Sequence, residues 1–228
     1  TGGAGFIGSH TVECAIREGA DVTVLDNLAT GSLENLPSDV VFRHLDIKDC
    51  SWPELLTGID AVIHCAAYTS APGSFADFEE CVAVNVQATW RLIQACAGAA
   101  VRVVLCSSSA VYAEHHGESL ETELPKPVSP YGMTKLCGEQ LCEMAAAEWG
   151  LSWAALRFFN VYGPRQKADS DYAAVIPAFL EAAVRGMPMR IYGSGTQRRD
   201  FVFVVDVTSA LWLFGQSIAK SRLLLIIR

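Results

Sequence analysis

The chain has 228 residues, of which 51% are hydrophobic and 18% are charged, and its formal net charge is −8. This apolar fraction excludes an intrinsically disordered chain and suffices for one sizeable core, alone or with a small second lobe. The acidic balance argues against nucleic acid or an anionic membrane surface as a partner, because binding either needs a basic patch.

The chain opens on a glycine-rich turn, Thr-Gly-Gly-Ala-Gly-Phe-Ile-Gly, which leads into a predicted helix. Gly2, Gly5 and Gly8 permit the tight turn and allow backbone N–H groups to approach a pyrophosphate at the positive end of that helix. A turn of this kind follows a strand, and the sequence ends as abruptly as it begins. We therefore expect a fragment that lacks the first strand and the C-terminal part.

Five short, mostly apolar segments predict parallel strands that are covered on both faces. They are residues 21–26, 40–45, 61–65, 101–106 and 153–158. Two long helices are predicted over 77–97 and 131–149, the second of them stopped by Gly150. This alternation predicts a Rossmann-like α/β fold, a doubly wound parallel sheet with right-handed crossovers.

The pattern becomes shorter and less regular beyond the Gly-Pro pair at 163–164. We expect a dinucleotide-binding domain over 1–160 and part of a small substrate lobe over 161–228. A helix over 206–219 is a candidate to return to the first domain.

The eight cysteines lie mostly in apolar runs, and none forms a Cys-x-x-Cys pair. Free cysteine packs as a small hydrophobic residue, so we expect reduced core residues in a cytoplasmic protein. A zinc site is not expected without paired Cys/His spacing, and no metal is assigned.

Asp26 ends the first of these strands, at about the ~20-residue offset typical of an acidic residue that binds the adenosine ribose. A carboxylate there repels a 2′-phosphate, and Asn27 and Leu28 follow without an arginine, so NAD is favoured over NADP. The turn alone could merely connect a strand to a helix; together with Asp26 it predicts dinucleotide binding. Asp46 either caps a turn or contacts the adenine amine.

Tyr131 and Lys135 lie four residues apart at the start of the second long helix and so share one face. A neighbouring ammonium and a positively charged nicotinamide ring favour the phenolate, which makes the pair a candidate base for a sugar hydroxyl. Ser108 follows a predicted strand, where catalytic groups of open α/β sheets lie. The alternatives are a surface tyrosine with a solvated lysine, and a serine that caps a turn.

In combination, these motifs resemble the extended short-chain dehydrogenase/reductase family, specifically its NAD-dependent nucleotide-sugar epimerases and dehydratases. The resemblance covers nearly the whole chain in the family's order. It rests on residues 1–8, His64–Ala67, Asn85–Val86, Ser107–Tyr112, Pro130–Lys135, Arg157–Gln166 and Arg198–Val202. The most similar members are 4-epimerases of the UDP-glucose/UDP-galactose type.

The resemblance implies a role for each matching residue. The catalytic residues would be Ser108, Tyr131 as the base, and Lys135. The cofactor-binding residues would be Gly2, Gly5, Phe6, Ile7, Gly8, Asp26, Asn27, Asp46, Ile47, Ala66, Ala67, Asn85, Tyr131, Lys135 and Phe158. The substrate-binding residues would be Ser108, Ser109, Asn160, Val175 and Arg199. From the residues alone, other roles are open: Asn160 is also suited to a turn, and Arg199 is also suited to be a solvated charge or an ion-pair partner of Asp200.

Ser109 and Ala110 stand where dehydratases of the family carry Asp-Glu, and related decarboxylases usually keep a glutamate at the second position. Neither residue is a carboxylic acid, so 4-epimerisation of a UDP-sugar through a transient 4-keto intermediate is favoured. The alternatives are an epimerase for a UDP-uronate or N-acetylated sugar, a decarboxylase or dehydratase, and a non-catalytic NAD-binding protein. Tyr172 and residues 175–179 are expected to help select the sugar. The resemblance favours a homodimer that pairs the two long helices.

Overall fold

The computed structural model describes residues 1–112, 117–168, 174–216 and 222–227. The strands are β1 (Thr23–Asp26), β2 (Val41–His44), β3 (Ala61–His64), β4 (Arg102–Ser108), β5 (Trp153–Phe158), β6 (Asn160–Tyr162), β7 (Phe201–Phe203) and β8 (Arg222–Ile227). The helices are α1 (Phe6–Arg17), α2 (Trp52–Leu55), α3 (Gly73–Ala76), α4 (Phe78–Val82), α5 (Thr89–Ala99), α6 (Pro130–Trp149), α7 (Val175–Val184) and α8 (Val204–Gln216). Tyr172 and the last residues of the helix predicted over 206–219 lie outside the described residues.

The described strands pair in parallel throughout, which confirms the predicted parallel α/β architecture. β1 pairs with β2, and β3, β4, β5 and β8 form a four-stranded sheet in that order. The first residues of the chain bridge these two sheets. Gly2 N–H donates to Leu25 O of β1 at 2.8 Å, and Cys65 N–H, just after β3, donates to Thr1 O at 3.0 Å. The glycine turn therefore begins between the carboxyl ends of β1 and β3.

Helices cover both faces of the four-stranded sheet because alternate side chains of a strand point to opposite faces. Val103 and Leu105 of β4 pack in one buried cluster with residues of α5 and α6. Val104 and Cys106 pack in the other cluster with Leu211 of α8. All eight cysteines are free thiols, as predicted.

β2 differs from its prediction. A strand covered on both faces was expected, yet Val41 is 49% exposed and Leu45, directly after the strand, is 38% exposed. Among the described strands β2 pairs only with β1 and so lies at the edge of its sheet, where helices cover it less. Hydrophobicity alone does not distinguish an edge strand from a central one.

The first long helix, predicted over 77–97, is a helical path from α4 to α5 that passes through a π-helical stretch, Ala83–Ala88. Such stretches occur mostly as single turns within helices and often lie at functional sites. The second long helix, α6, ends at Gly150 in the left-handed conformation, with φ 72°, as predicted.

Two elements from beyond residue 160 lie against the main sheet. α8 packs its buried Val207 and Leu211 on the face that carries Val104 and Leu156, and β8 pairs with β5. β6 and β7 form a separate two-stranded sheet. The division into domains over 1–160 and 161–228 stays a prediction. Within the part of the chain that the structure describes, no helix is both long and apolar enough to cross a membrane.

Candidate functional site

The glycine turn is built by close backbone approach. Gly2 has φ 70°, and a Cβ there would lie 2.4 Å from Ala66 N. A Cβ on Gly8 would lie 2.0 Å from Gly2 O. α1 begins at Phe6 without a side-chain cap, so its first N–H groups face the space beyond the turn. The glycine turn thus leaves a cradle at the positive end of α1, and any side chain on the turn would fill it. This cradle fits the pyrophosphate of a dinucleotide.

Asp26 lies beside this turn at the end of β1. Its Oδ2 accepts a hydrogen bond from Ala4 N–H at 2.9 Å, and its Oδ1 accepts one from Leu28 N–H at 2.8 Å. A carboxylate keeps further lone pairs when each oxygen accepts one bond. The structure thus brings Asp26 to the glycine turn, where the sequence places a ribose ligand, and that contact stays a prediction.

Asp46 organises the turn that follows β2. Its Oδ2 accepts from Asn27 Nδ2 at 3.0 Å, and its Oδ1 accepts from Lys48 N–H at 2.8 Å. Burial alone would raise the pKa of Asp46, but these hydrogen bonds and the Lys48 ammonium outweigh it and lower the pKa. Asp46 therefore caps a turn, and its contact with adenine stays a prediction. Ile47 is buried in the core, so its side chain packs against protein.

Ala66 and Ala67 follow β3, next to the glycine turn, and Asn85 fastens this segment. Asn85 Oδ1 accepts from Tyr68 N–H at 2.8 Å, and its Nδ2 donates to Tyr68 O at 2.9 Å and to Thr134 Oγ1 at 3.0 Å. Both amide hydrogens are used, so Asn85 bridges the π-helical stretch, the segment after β3 and α6. Its cofactor contact stays a prediction.

Tyr131 and Lys135 of α6 lie near the carboxyl end of β4, the strand that ends at Ser108. Lys135 Nζ donates to Cys106 O at 2.9 Å and lies 5.8 Å from the centre of the Tyr131 ring. Ser108 Oγ accepts from Ala110 N–H at 3.1 Å, which caps the single 3₁₀ turn over 109–111. Lys135 is only 7% exposed, so the alternative of a solvated lysine is wrong.

Two residues that sequence reasoning missed set the start of α6. A Cβ on Gly132 would lie 2.2 Å from Ala110 O, so glycine allows α6 to contact the turn after Ser108. Tyr131 N–H donates to the Oγ of the buried Ser74 at 3.0 Å. Ser74 lies 57 positions earlier, in a four-residue helix, and no local pattern indicates this contact.

The predicted substrate residues lie beyond the end of β5. Asn160 donates both its N–H and its Nδ2 to Asp200 O, at 3.1 and 2.8 Å, which ties β6 to the segment before β7. This places Arg199 next to Asn160 in space. Phe158 is buried at the end of β5, and Val175 begins α7 with 42% of its surface exposed.

A parallel sheet with a glycine cradle at α1, and a serine, tyrosine and lysine at the carboxyl end of β4, defines a dinucleotide-dependent enzyme of the short-chain dehydrogenase/reductase type. The chain belongs to the NAD dependent epimerase/dehydratase family, whose model matches residues 1–224. This membership confirms the family, the fold class and the NAD dependence predicted from the sequence.

Relatives and solved structures agree with this assignment. The chain is 36% identical over 220 residues to the UDP-glucose 4-epimerase of Mycolicibacterium smegmatis, which covers 92% of this chain and 70% of that protein. A UDP-N-acetylglucosamine 4-epimerase from Methanobrevibacter ruminantium superposes with a TM-score of 0.95 at 38% identity, over 99% of this chain and 74% of that one. A UDP-glucose 4-epimerase from Thermus thermophilus in complex with NAD gives a TM-score of 0.90 at 34% identity. The match covers 99% of this chain and 75% of that one.

Proposed function

We propose that the protein is an NAD-dependent 4-epimerase that interconverts UDP-glucose and UDP-galactose. The observation that carries this is the place of Tyr131 and the buried Lys135, which is bonded to Cys106 O near the carboxyl end of β4, the strand that ends at Ser108. Ser109 and Ala110, which follow, supply no acid for a dehydration. The similarity to UDP-glucose 4-epimerases supports the same activity.

Tyr131 acts as the base and then as the acid. Its phenolate removes the proton of the sugar 4-hydroxyl, and Ser108 Oγ donates a hydrogen bond to the same oxygen. The ammonium of Lys135, held by Cys106 O, lies beside the Tyr131 ring. NAD, when bound, would supply the hydride chemistry at carbon 4, and because the hydride would return to the sugar the reaction has no net change in redox state. Tyr131 then returns the proton to the 4-oxygen.

The 4-keto sugar must rotate within the site while its nucleotide stays bound. Asn160, which donates to Asp200 O, and Arg199, which precedes Asp200 in the chain, are the proposed anchors of the diphosphate. A guanidinium suits phosphate oxygens because its N–H groups form a planar fork. Ser109 and Val175 are the proposed sugar contacts. An anchored diphosphate leaves the hexose free to present either face to the cofactor.

The test is Tyr131→Phe, assayed with a panel of UDP-sugars. Removal of this proton carrier is expected to lower kcat by about 10²-fold or more. The thermal midpoint should be unchanged, because a hydroxyl lost from a partly exposed side chain leaves the packing intact. Full activity of this variant would refute the assignment of the base.

A second candidate substrate is a UDP-N-acetylated sugar, which the similarity to a UDP-N-acetylglucosamine 4-epimerase favours. The same panel separates the two, since the better substrate has the higher kcat/KM. Release of CO₂ from a UDP-uronate would instead identify a decarboxylase. Bound NAD that no UDP-sugar reduces would identify a non-catalytic protein.

We further propose a homodimer in the cytoplasm. α6 exposes Met133, Met144 and Trp149, a set of apolar side chains suited to a partner copy. Free thiols throughout the chain suit a reducing compartment. Light scattering coupled to size-exclusion chromatography is expected to give twice the chain mass.

A further inference from the structure

A buried polar network lies directly behind the candidate catalytic residues. Arg157 of β5 donates from Nε to Glu139 Oε1 at 2.9 Å and from Nη2 to Glu139 Oε2 at 2.6 Å. The Ser107 hydroxyl donates to Glu139 Oε1, and Arg157 Nη1 donates to Tyr112 Oη at 2.5 Å. The four side chains are between 2% and 5% exposed.

Stability alone is a poor reason for such a network. Taking a carboxylate and a guanidinium out of water costs about as much as their attraction returns, and well-packed apolar side chains often do as well. The ion pair is bidentate, and each of its members also bonds one hydroxyl, that of Ser107 or of Tyr112. A network of this kind favours one geometry, because any displacement leaves a charge buried without a partner.

The network joins the two elements whose alignment the reaction needs. Ser107 is the β4 residue in the network, and its two neighbours in β4 belong to the site: Cys106 O accepts from Lys135, and Ser108 is the candidate catalytic serine. On α6, Tyr131, Lys135 and Glu139 are spaced four apart and share one face. α6 is thus fixed to β4 and β5 at a point one turn beyond Lys135.

We propose that Glu139 is a positioning residue, held by Ser107 and Arg157, that aligns α6 so that Tyr131 and Lys135 face Ser108. This inference rests on the proposed epimerase function. Glu139 does not touch the substrate; it acts through the position of the helix that carries the base.

The test is Ser107→Ala, which removes one hydrogen bond to Glu139 and leaves the ion pair in place. Because small misplacements of reacting groups cost large factors in rate, kcat should fall about tenfold or more, while KM and NAD affinity stay within about twofold. Thr208→Ala is the matched control. It also removes a buried hydroxyl, one bonded to Val205 O at 3.0 Å, but on α8 and away from α6.

Ser107→Thr restores the hydroxyl and is expected to recover most of the lost kcat. Should Ser107→Ala not fold, Tyr112→Phe removes the hydroxyl that Arg157 contacts and should give a smaller loss of kcat at constant KM. A Ser107→Ala enzyme with unchanged kcat, or one impaired no more than Thr208→Ala, would overturn the proposal.

Amide hydrogen exchange of α6 gives a readout independent of turnover. Exchange over residues 131–135 should accelerate in Ser107→Ala and stay unchanged in Thr208→Ala; equal exchange in both would contradict the positioning role.

The positioning proposal and the epimerase proposal are refuted by different results. A wild-type protein without epimerase activity refutes the function, whereas an active wild type, an inactive Tyr131→Phe and a fully active Ser107→Ala refute only the positioning.

Discussion

Gly8 and Gly132 are the two sites where backbone meets backbone most closely around the candidate site. A Cβ would come within 2.0 Å of Gly2 O at the first and within 2.2 Å of Ala110 O at the second. Real Cβ atoms do not approach a carbonyl oxygen so closely, so any side chain would push the segments apart. One glycine shapes the cofactor cradle, and the other brings Tyr131 to the strand end.

Gly8→Ala is expected to weaken NAD binding by about tenfold or more and to lower the free energy of unfolding by about 1–3 kcal/mol, because α1 must move away from the turn. NAD titration and urea denaturation measure the two effects. Gly98→Ala is the control: a Cβ there meets nothing within 4 Å, and alanine in a helix is about 0.5–1 kcal/mol better than glycine. Equal behaviour of both variants would contradict the steric account.

At the scale of elements, α6 carries the site and is defined at both ends. Ser129 accepts a hydrogen bond from Gly132 N–H through its Oγ at 3.1 Å, and Gly150 ends the helix in the left-handed conformation. Tyr131 N–H, another donor in the first turn of α6, donates to Ser74 Oγ. The first turn of α6 is therefore bonded by two serines, one local and one distant in sequence.

Ser129→Ala is expected to lower the free energy of unfolding by about 1 kcal/mol, because Gly132 N–H then loses its partner. Urea denaturation measures this loss. Ser209→Ala provides the comparison, since the exposed Ser209 of α8 bonds only Val205 O within its own helix and alanine is the better helix former there. A loss of the same size in Ser209→Ala would argue against the cap.

At the scale of the whole molecule, His64 ties together three separate parts of the chain. It is 2% exposed at the end of β3, with Nδ1 2.7 Å from Thr1 Oγ1 and Nε2 2.9 Å from Thr89 Oγ1 of α5. Burial, with the Thr1 and Lys135 ammonium groups adding to it, lowers the pKa of His64 well below its usual value. The folded protein therefore keeps this imidazole neutral.

His64 should make the stability fall in acid. Above about pH 6.5 neither state protonates it and the full stability is present. Below that pH the unfolded chain binds a proton that the folded protein does not, so the free energy of unfolding decreases by up to about 1.4 kcal/mol per pH unit until the folded pKa is reached. Urea denaturation at several pH values measures this dependence. As the pH falls, the free energy of unfolding should decrease less steeply in His64→Gln than in the wild type. It should decrease as in the wild type in His44→Gln, whose side chain is exposed.

Much of the fold was predictable because it follows from short-range pattern. The strand over Trp153–Phe158 has the predicted bounds, and α6 begins one residue before its prediction. Tyr131 and Lys135 were nominated as catalytic by their spacing together with the serines after β4 and the family motifs, and their roles stay predictions. Ser74 and Glu139 were missed because their roles depend on partners in other elements. Glu139 follows Lys135 by four residues, as Lys135 follows Tyr131. That spacing places Glu139 on the same helix face and could have identified it.

The sequence by itself determined the five main strands and the long helices, the dinucleotide character of the first turn and the family, because hydrophobic period, glycine positions and motif order are properties of the chain. Only the tertiary structure decided that β2 lies at an edge, that Lys135 is buried on Cys106 O, and that Glu139 joins Arg157 and Ser107 behind the site. Burial and hydrogen-bond partners arise from contacts between residues far apart in the chain, and no local pattern records them.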